Sequence, residues 1–279
     1  MANRLVGSVV AGLLVGAFVI ASLSAEARSA KAESTPAAAQ ARAGGAPARP
    51  PAGPVLRLPD GKPDLTGVWT PRGPGPQIER AALATLEDLY TPAAVKEMGD
   101  LAEPDDPLLR CVPYGVPRSG ASSPWPFQIV QHPGYFVVLT EYYHSFRIIP
   151  YGEGLKHSED IIPTYFGDSV ARWEGDTLVV DVTGFNDQTW LADGRDKPRP
   201  TSKGRWPHSD AMHVTERWRA VDADTLEYQA VVEDPKMLSG PWTTPLITAR
   251  RTPGVQKIGE GICSDTFTLT LEASGRNKK

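Results

Sequence analysis

The chain has 279 residues, with 29 Lys and Arg against 33 Asp and Glu, a formal charge of −4. So small an imbalance supplies no basic field, which argues against nucleic acid or an anionic membrane surface as a partner. Heptads, a repeat of roughly 20–50 residues and long amphipathic helices are all missing from the pattern, which excludes coiled coils and solenoids.

The N-terminus reads as a secretory signal over residues 1–27. Arg4 is a short basic lead, Leu5 to Ile20 form an apolar run, and Ala25-Glu26-Ala27 offers small residues at the cleavage positions. The run falls short of the ~20 residues a bilayer span needs. A periplasmic or secreted protein is therefore expected, with no membrane span after cleavage. Residues 28–54 are rich in Ala, Pro, Gly and Arg and have almost no large apolar side chain, so they should be a disordered tether. Residues 55–279 then suit one large β domain. The two cysteines, Cys111 and Cys263, are expected to pair in an exported chain. The bridge would close a loop of roughly 150 residues and stabilise by ~4–5 kcal/mol.

In chain order, Pro63 to Trp69 (PDLTGVW) opens a first strand, followed by a Pro/Gly loop. Ile78 to Leu89 has helical spacing, and Thr91-Pro92 is an N-cap and N1 pair that opens a second short helix over Ala93 to Leu101. Arg110 to Pro126 carries too much Pro, Gly and Ser for regular pairing. Strands are expected at Phe127–Gln131, Tyr135–Glu141, Ser145–Ile149, in both arms of GDSVARWEGDTLVVDVTGFN (Gly167 to Asn186), and at Val214–Ala220, Thr225–Val232, Trp242–Arg251 and Thr266–Glu272. Short strands punctuated by turns predict a mainly β fold, a single antiparallel up-and-down β-barrel with two short N-terminal helices and long loops. Gly67-Val68-Trp69 resembles the G-x-W signature of lipocalin-like barrels, which implies a tryptophan plug under a late-strand arginine, Arg250 or Arg251.

Within the hairpin, a two-residue Glu174-Gly175 turn pairs Trp173 with Asp176 and Ala171 with Leu178. Trp173, Ala171, Leu178, Val180 and Val182 then share a core face. Asp168 faces Asp181 on the other side, and these carboxylates are either solvated or share a cation.

Candidate chemistry lies mainly in HSDAMHVTERWR (His208 to Arg219). Strand alternation places Val214, Glu216 and Trp218 on one face and His213, Thr215, Arg217 and Arg219 on the other. Glu216 is expected to point inward, either as an acid/base group raised by desolvation or as the partner of an inward arginine such as Arg147. Glu141 is the second acid/base candidate. His208, His213 and His157 are proton-transfer or orienting candidates, and Arg147 and Arg217 are electrostatic partners. His213 and Glu216 face opposite ways and form no local metal pair; zinc would require His144 or His157 to be brought in by the fold, so no cofactor is expected. Trp190, Trp206 and Trp242, with Tyr143, are candidates for lining a ligand cavity.

PDLTGVW, DPLLRCVPYGVPR (Asp106 to Arg118), GDSVARWEGDTLVVDVTGF, HSDAMHVTERW and EDP (Glu233 to Pro235) together resemble a large group of exported bacterial proteins to which no activity attaches. Ala171 departs from that pattern, where glycine is usual, as does Gly152 to His157, where Asp-Gly-Arg usually precedes the histidine. The leading expectation is an exported enzyme performing acid–base chemistry (isomerase, lyase or hydrolase) on a small, largely apolar molecule in a barrel cavity. A non-catalytic small-ligand carrier and a structural envelope domain are the alternatives.

Overall fold

The computed structural model describes residues 53–72, 80–121, 125–259 and 261. All lie in the unit Pro50–Lys279; residues 1–49 lie outside the described residues. The expected signal sequence, nearly all of the expected tether, Cys263 and the expected Thr266–Glu272 strand likewise fall outside them. Among the described residues no helix is long and apolar enough to cross a membrane.

Ten strands are described: β1 (Gly67–Arg72), β2 (Phe127–His132), β3 (Tyr135–Thr140), β4 (Phe146–Pro150), β5 (Asp168–Glu174), β6 (Thr177–Thr183), β7 (His213–Asp222), β8 (Thr225–Glu233), β9 (Trp242–Thr243) and β10 (Ile247–Arg251). They form one sheet in the order β4-β3-β2-β1-β10-β8-β7-β6-β5, with β9 also on β8. The expected single strand Trp242–Arg251 is broken: β9 pairs with Val231–Val232 and β10 with Thr225–Tyr228, on either side of Thr244-Pro245. Proline has no N–H to give a ladder, which accounts for the break.

Every neighbour along this order is antiparallel. Alternating directions around nine positions leave β4 and β5 running the same way. They meet at a parallel bridge, Tyr151 to Ala171, where Gly152 N donates to Ala171 O at 3.0 Å. The result is a nearly closed, lipocalin-like up-and-down barrel with one parallel seam. Parallel neighbours need a crossover of a dozen or more residues, and residues 151–167 supply it.

The turns follow local chemistry. His132 pairs with Tyr135 across Pro133-Gly134, with Gly134 at φ 90, as a proline-glycine turn requires. The hairpin turn is Gly175-Asp176, not Glu174-Gly175: Glu174 pairs with Thr177, Trp173 with Leu178 and Ala171 with Val180. This corrects the expected register by two residues and leaves each side chain on its expected face, because strand faces repeat every two residues. Arg57 clamps Asp176 at 2.9 and 2.7 Å and holds the turn in place. Asp168 consequently pairs with Thr183 rather than Asp181.

Helices α1 (Arg80–Leu89) and α2 (Pro92–Met98) confirm the expected pair, and the Thr91 hydroxyl caps α2 by accepting from Ala94 N at 3.1 Å. The stretch expected to be irregular holds a third short helix, α3 (Arg118–Ala121), preceded by a 3-10 turn over Pro107–Arg110. The core gathers Trp69, Phe127, Ile129, Phe136, Ile149, Leu178, Val180, Val182, Trp218 and Tyr228 inside the barrel. Trp69 is fully buried at one end, and the Arg251 guanidinium lies 4.4 Å from its ring centre. Arg251 also donates to Ala223 O at 2.9 Å, Asp64 O at 3.1 Å and Thr66 O. Gly67 holds φ 141, a backbone L side chains rarely adopt, and a Cβ there would also crowd this guanidinium, which explains the glycine two residues before the tryptophan. Arg251→Ala removes the cation–π contact and three hydrogen bonds; urea unfolding should show a loss of about 2–4 kcal/mol with an unchanged slope.

Candidate functional site

Inside the barrel, Glu216 has no solvent exposure. Its carboxylate accepts from Arg147 at 3.1 and 2.8 Å and from the Tyr228 hydroxyl at 2.9 Å. Arg147 also donates to Ser169 Oγ at 2.9 Å, tying β4 to β5 across the parallel seam. Burial, reinforced by the Glu216 charge, pushes the Tyr228 phenol well above its ordinary range, so it stays a donor. The inward glutamate is therefore an ion-paired core group with each carboxylate oxygen engaged. Two donors in this interior, Arg147 Nε and Trp218 Nε1, are buried without a partner, an uncommon cost in a protein core.

Glu141 does not join Glu216. Its carboxylate accepts from Gly259 N at 2.9 Å and its carbonyl from Gly261 N at 3.1 Å, fastening the chain beyond β10 to the end of β3. Tyr143 holds a left-handed backbone, φ 57, in the β3–β4 turn, and its hydroxyl donates to Leu108 O at 2.8 Å. Arg217 lies outside and pairs with Glu174 at 3.1 Å. Trp190, Trp206 and Trp242 are all buried in the hydrophobic core, where Trp206 Nε1 donates to Asp193 O and Trp242 Nε1 to Ala82 O. They anchor loops and helices. Cys111 is not a free thiol, and its expected partner lies outside the described residues.

On the outer wall, Asp181 of β6 stands between two histidines. His157, from the crossover, meets Asp168 through Nδ1 and Asp181 through Nε2, both at 2.7 Å. His213 of β7 meets Asp181 at 3.0 Å and Glu233 at 3.2 Å. Burial alone would lower both imidazoles, yet the carboxylates outweigh it and hold each above its ordinary value. The group shared by Asp168 and Asp181 is thus the His157 ring. Among the described residues no group of three or more His, Cys, Asp or Glu is arranged to hold a metal ion.

His208 sits elsewhere, in a cleft of about 400 Å³ outside the barrel. Its walls come from α2 and the turn after it (Glu97, Met98, Leu101), from Asp187, from Pro207 to Asp210, and from Lys236 and Met237. The Asp234 carboxylate draws two of these walls together, accepting from Ser209 N and Oγ at 2.7 Å each and from Lys236 N and Met237 N at 3.1 Å. The motifs HSD and EDP are thereby one local structure. The His208 ring packs edge-on against Phe185, donates through Nδ1 to Ser209 O at 2.9 Å, and accepts at Nε2 from the Thr189 hydroxyl at 2.8 Å. Burial lowers its pKa, so the ring is neutral. Lys236 pairs with Asp210 at 2.5 Å across the rim.

A second buried ion cluster braces the loop that carries these walls. Arg118 makes a two-pronged pair with Asp106 at 2.9 and 2.8 Å, and Asp106 also accepts from Gly194 N. Beside it Asp196 is 6% exposed, and its Oδ2 is buried without a partner. Burial, with Asp193 adding repulsion, raises its carboxyl to about 7. Of the groups that matter here, Ser169, Tyr228, Asp187, Lys236 and the Asp106–Arg118 pair gave no local sequence signal. Their partners are distant in the chain.

Two measurements follow. Glu216→Gln leaves the Arg147 cation buried without its counter-charge and should cost about 3–5 kcal/mol in urea unfolding, whereas Arg147→Met with Glu216→Leu should recover a large part of it. Asp196 is raised in the fold, so its contribution is full below its unfolded value near 4 and is lost as pH rises to about 7. Asp196→Asn should remove that slope and melt higher than wild type at pH 8, by the equivalent of about 1–3 kcal/mol.

No family model matches the chain, and no curated protein is significantly similar to it.

Proposed function

We propose that the protein is an exported carrier of a small molecule, bound in the cleft beside His208 rather than within the barrel. The observation that carries this reading is the cleft itself, of about 400 Å³ and open to solvent, against an interior in which Glu216 is wholly buried. The acid–base candidates favour binding over chemistry. Both ring nitrogens of His157, His208 and His213 are engaged, and Glu216 is held by three hydrogen bonds. A general base needs a free position within reach of the proton it takes.

Met98, Leu101, Pro207 and Met237 give the cleft an apolar side, while Glu97, Asp187 and Asp210 outnumber Lys236 at its rim. That balance suits a molecule with an apolar body and an uncharged or cationic head, and disfavours anions. No cofactor is required. Export is supported by the signal-like residues 1–27, and a Cys111–Cys263 disulfide fits the same compartment.

Protein isolated from the extracytoplasmic fraction of its host and opened with cold methanol should release one small compound in near-stoichiometric amount. Leu101→Trp, which fills the cleft, should weaken binding of that compound by at least about tenfold, or ~1.4 kcal/mol. Unaltered binding to Leu101→Trp, or conversion of the compound to a product by the wild-type protein, would reject the carrier reading.

A further inference from the structure

The parallel seam obliges the chain to cross from the end of β4 to the start of β5, and that crossover is fastened at its two ends, where Tyr151 and Phe166 pack against the core. At one end Gly152 N donates to Ala171 O. At the other, Thr164 N donates to Gly184 O and Thr164 O accepts from Asn186 N, both at 3.1 Å, while Ile161 covers Gly184. Between these ends the crossover exposes its apolar side chains, Ile162 being 82% exposed and Leu155 46%. Among the described residues His157 pins this middle stretch to the barrel wall, through Asp168 and Asp181.

The geometry itself fixes the protonation state that holds the pin. Four imidazole nitrogens, two on each ring, face four carboxylate oxygens at 2.7 to 3.2 Å. A neutral imidazole has one N–H, so its second nitrogen would turn a lone pair toward a carboxylate; all four contacts are hydrogen bonds only when both rings are charged. The charged groups acting on His157 are Asp181 of β6 and Asp168 of β5, and those acting on His213 are Asp181 and Glu233 of β8. The cations lowering Asp181 are the same two rings.

We propose that residues 151–167 form a pH-gated strap, latched to the barrel wall by imidazolium His157 with His213 as its brace, and released when the rings lose their protons. Thr164 pairs with the Gly184–Asn186 segment, which leads directly into Asp187 of the cleft, and Glu233 adjoins Asp234, which joins the cleft walls. Release of the strap therefore loosens the cleft and uncovers the seam where Arg147 meets Ser169. The latch stands whether or not the cleft binds a ligand.

Both rings are raised above their ordinary value, so their contribution is complete below about pH 6.5 and is lost as pH climbs through the folded values. Asp181 is lowered because its two histidines outweigh burial, so this carboxylate keeps its charge below the ordinary aspartate range. Hydrogen exchange of the full chain, corrected for the intrinsic pH dependence of exchange, reads the strap without any ligand. Protection of peptides spanning 152–167 and 184–186 should fall at least about tenfold between pH 6 and pH 8.5, while β7 and β8 stay protected. His157→Gln should show the low protection at both pH values, and His213→Gln an intermediate level at pH 6. Protection over 152–167 that ignores both pH and His157→Gln would overturn the proposal. So would an NMR titration in the wild-type protein placing His157 at or below the ordinary histidine range.

Discussion

Nine strand positions cannot alternate in direction all the way around a ring, and much of this structure depends on that parity. An even barrel can close on antiparallel hydrogen bonds throughout and return each strand through a short turn. Here the odd count leaves β4 and β5 parallel, which obliges a long excursion over the outer wall and weakens closure at one seam. Side chains take over part of what the ladder cannot do. Arg147 reaches from β4 to Ser169 on β5 inside the barrel, and His157 reaches from the crossover to the strands outside. The buried Arg147–Ser169 contact and the His157–Asp168 contact therefore lie inside and outside the same defect.

That view explains why a glutamate sits in the middle of an apolar strand face. Glu216 lies between Val214 and Trp218, facing Val180 on one side and Ala230 on the other. A hydrophobic residue there would leave Arg147 without a counter-charge. A pair of this kind is no source of net stability compared with a packed apolar core, since desolvation offsets most of the attraction. Its value is directional: a guanidinium from β4 bonded to a hydroxyl on β5 and a carboxylate on β7 specifies how the three strands meet, which leucine packing would leave loose. The same device recurs at Arg118, where a planar fork on Asp106 positions the loop from Asp187 to Pro207 against the 3-10 turn.

Features of the chain that depend on neighbours in sequence were legible in it. The Thr91-Pro92 cap, the alternating faces of HVTERWR and the Gly67-Val68-Trp69 plug with its arginine all appear where local chemistry puts them. What failed was long-range or even-numbered. A register shift of two residues preserves every face, so hydrophobic alternation cannot detect it; Arg57, 119 residues from Asp176, clamps the turn that sets it. The three loop tryptophans have the composition of a ligand pocket and the location of a core, and only packing separates the two. His157 lies in a loop without periodicity, so its meeting with Asp168 and Asp181 follows from strand parity. Like charges on one face had left those two aspartates either solvated or sharing a cation, from a register in which they faced each other; Asp168 in fact faces Thr183.

Asp181 meets two imidazoles, one through each oxygen. In the proposed latch the rings are consequently not independent: a proton that leaves one ring frees Asp181 to hold the other more firmly. Such a pair would give up its protons in two macroscopic steps whose midpoints belong to neither histidine alone. The proposed strap would then loosen in stages rather than at one acidity, with the response shared across four strands.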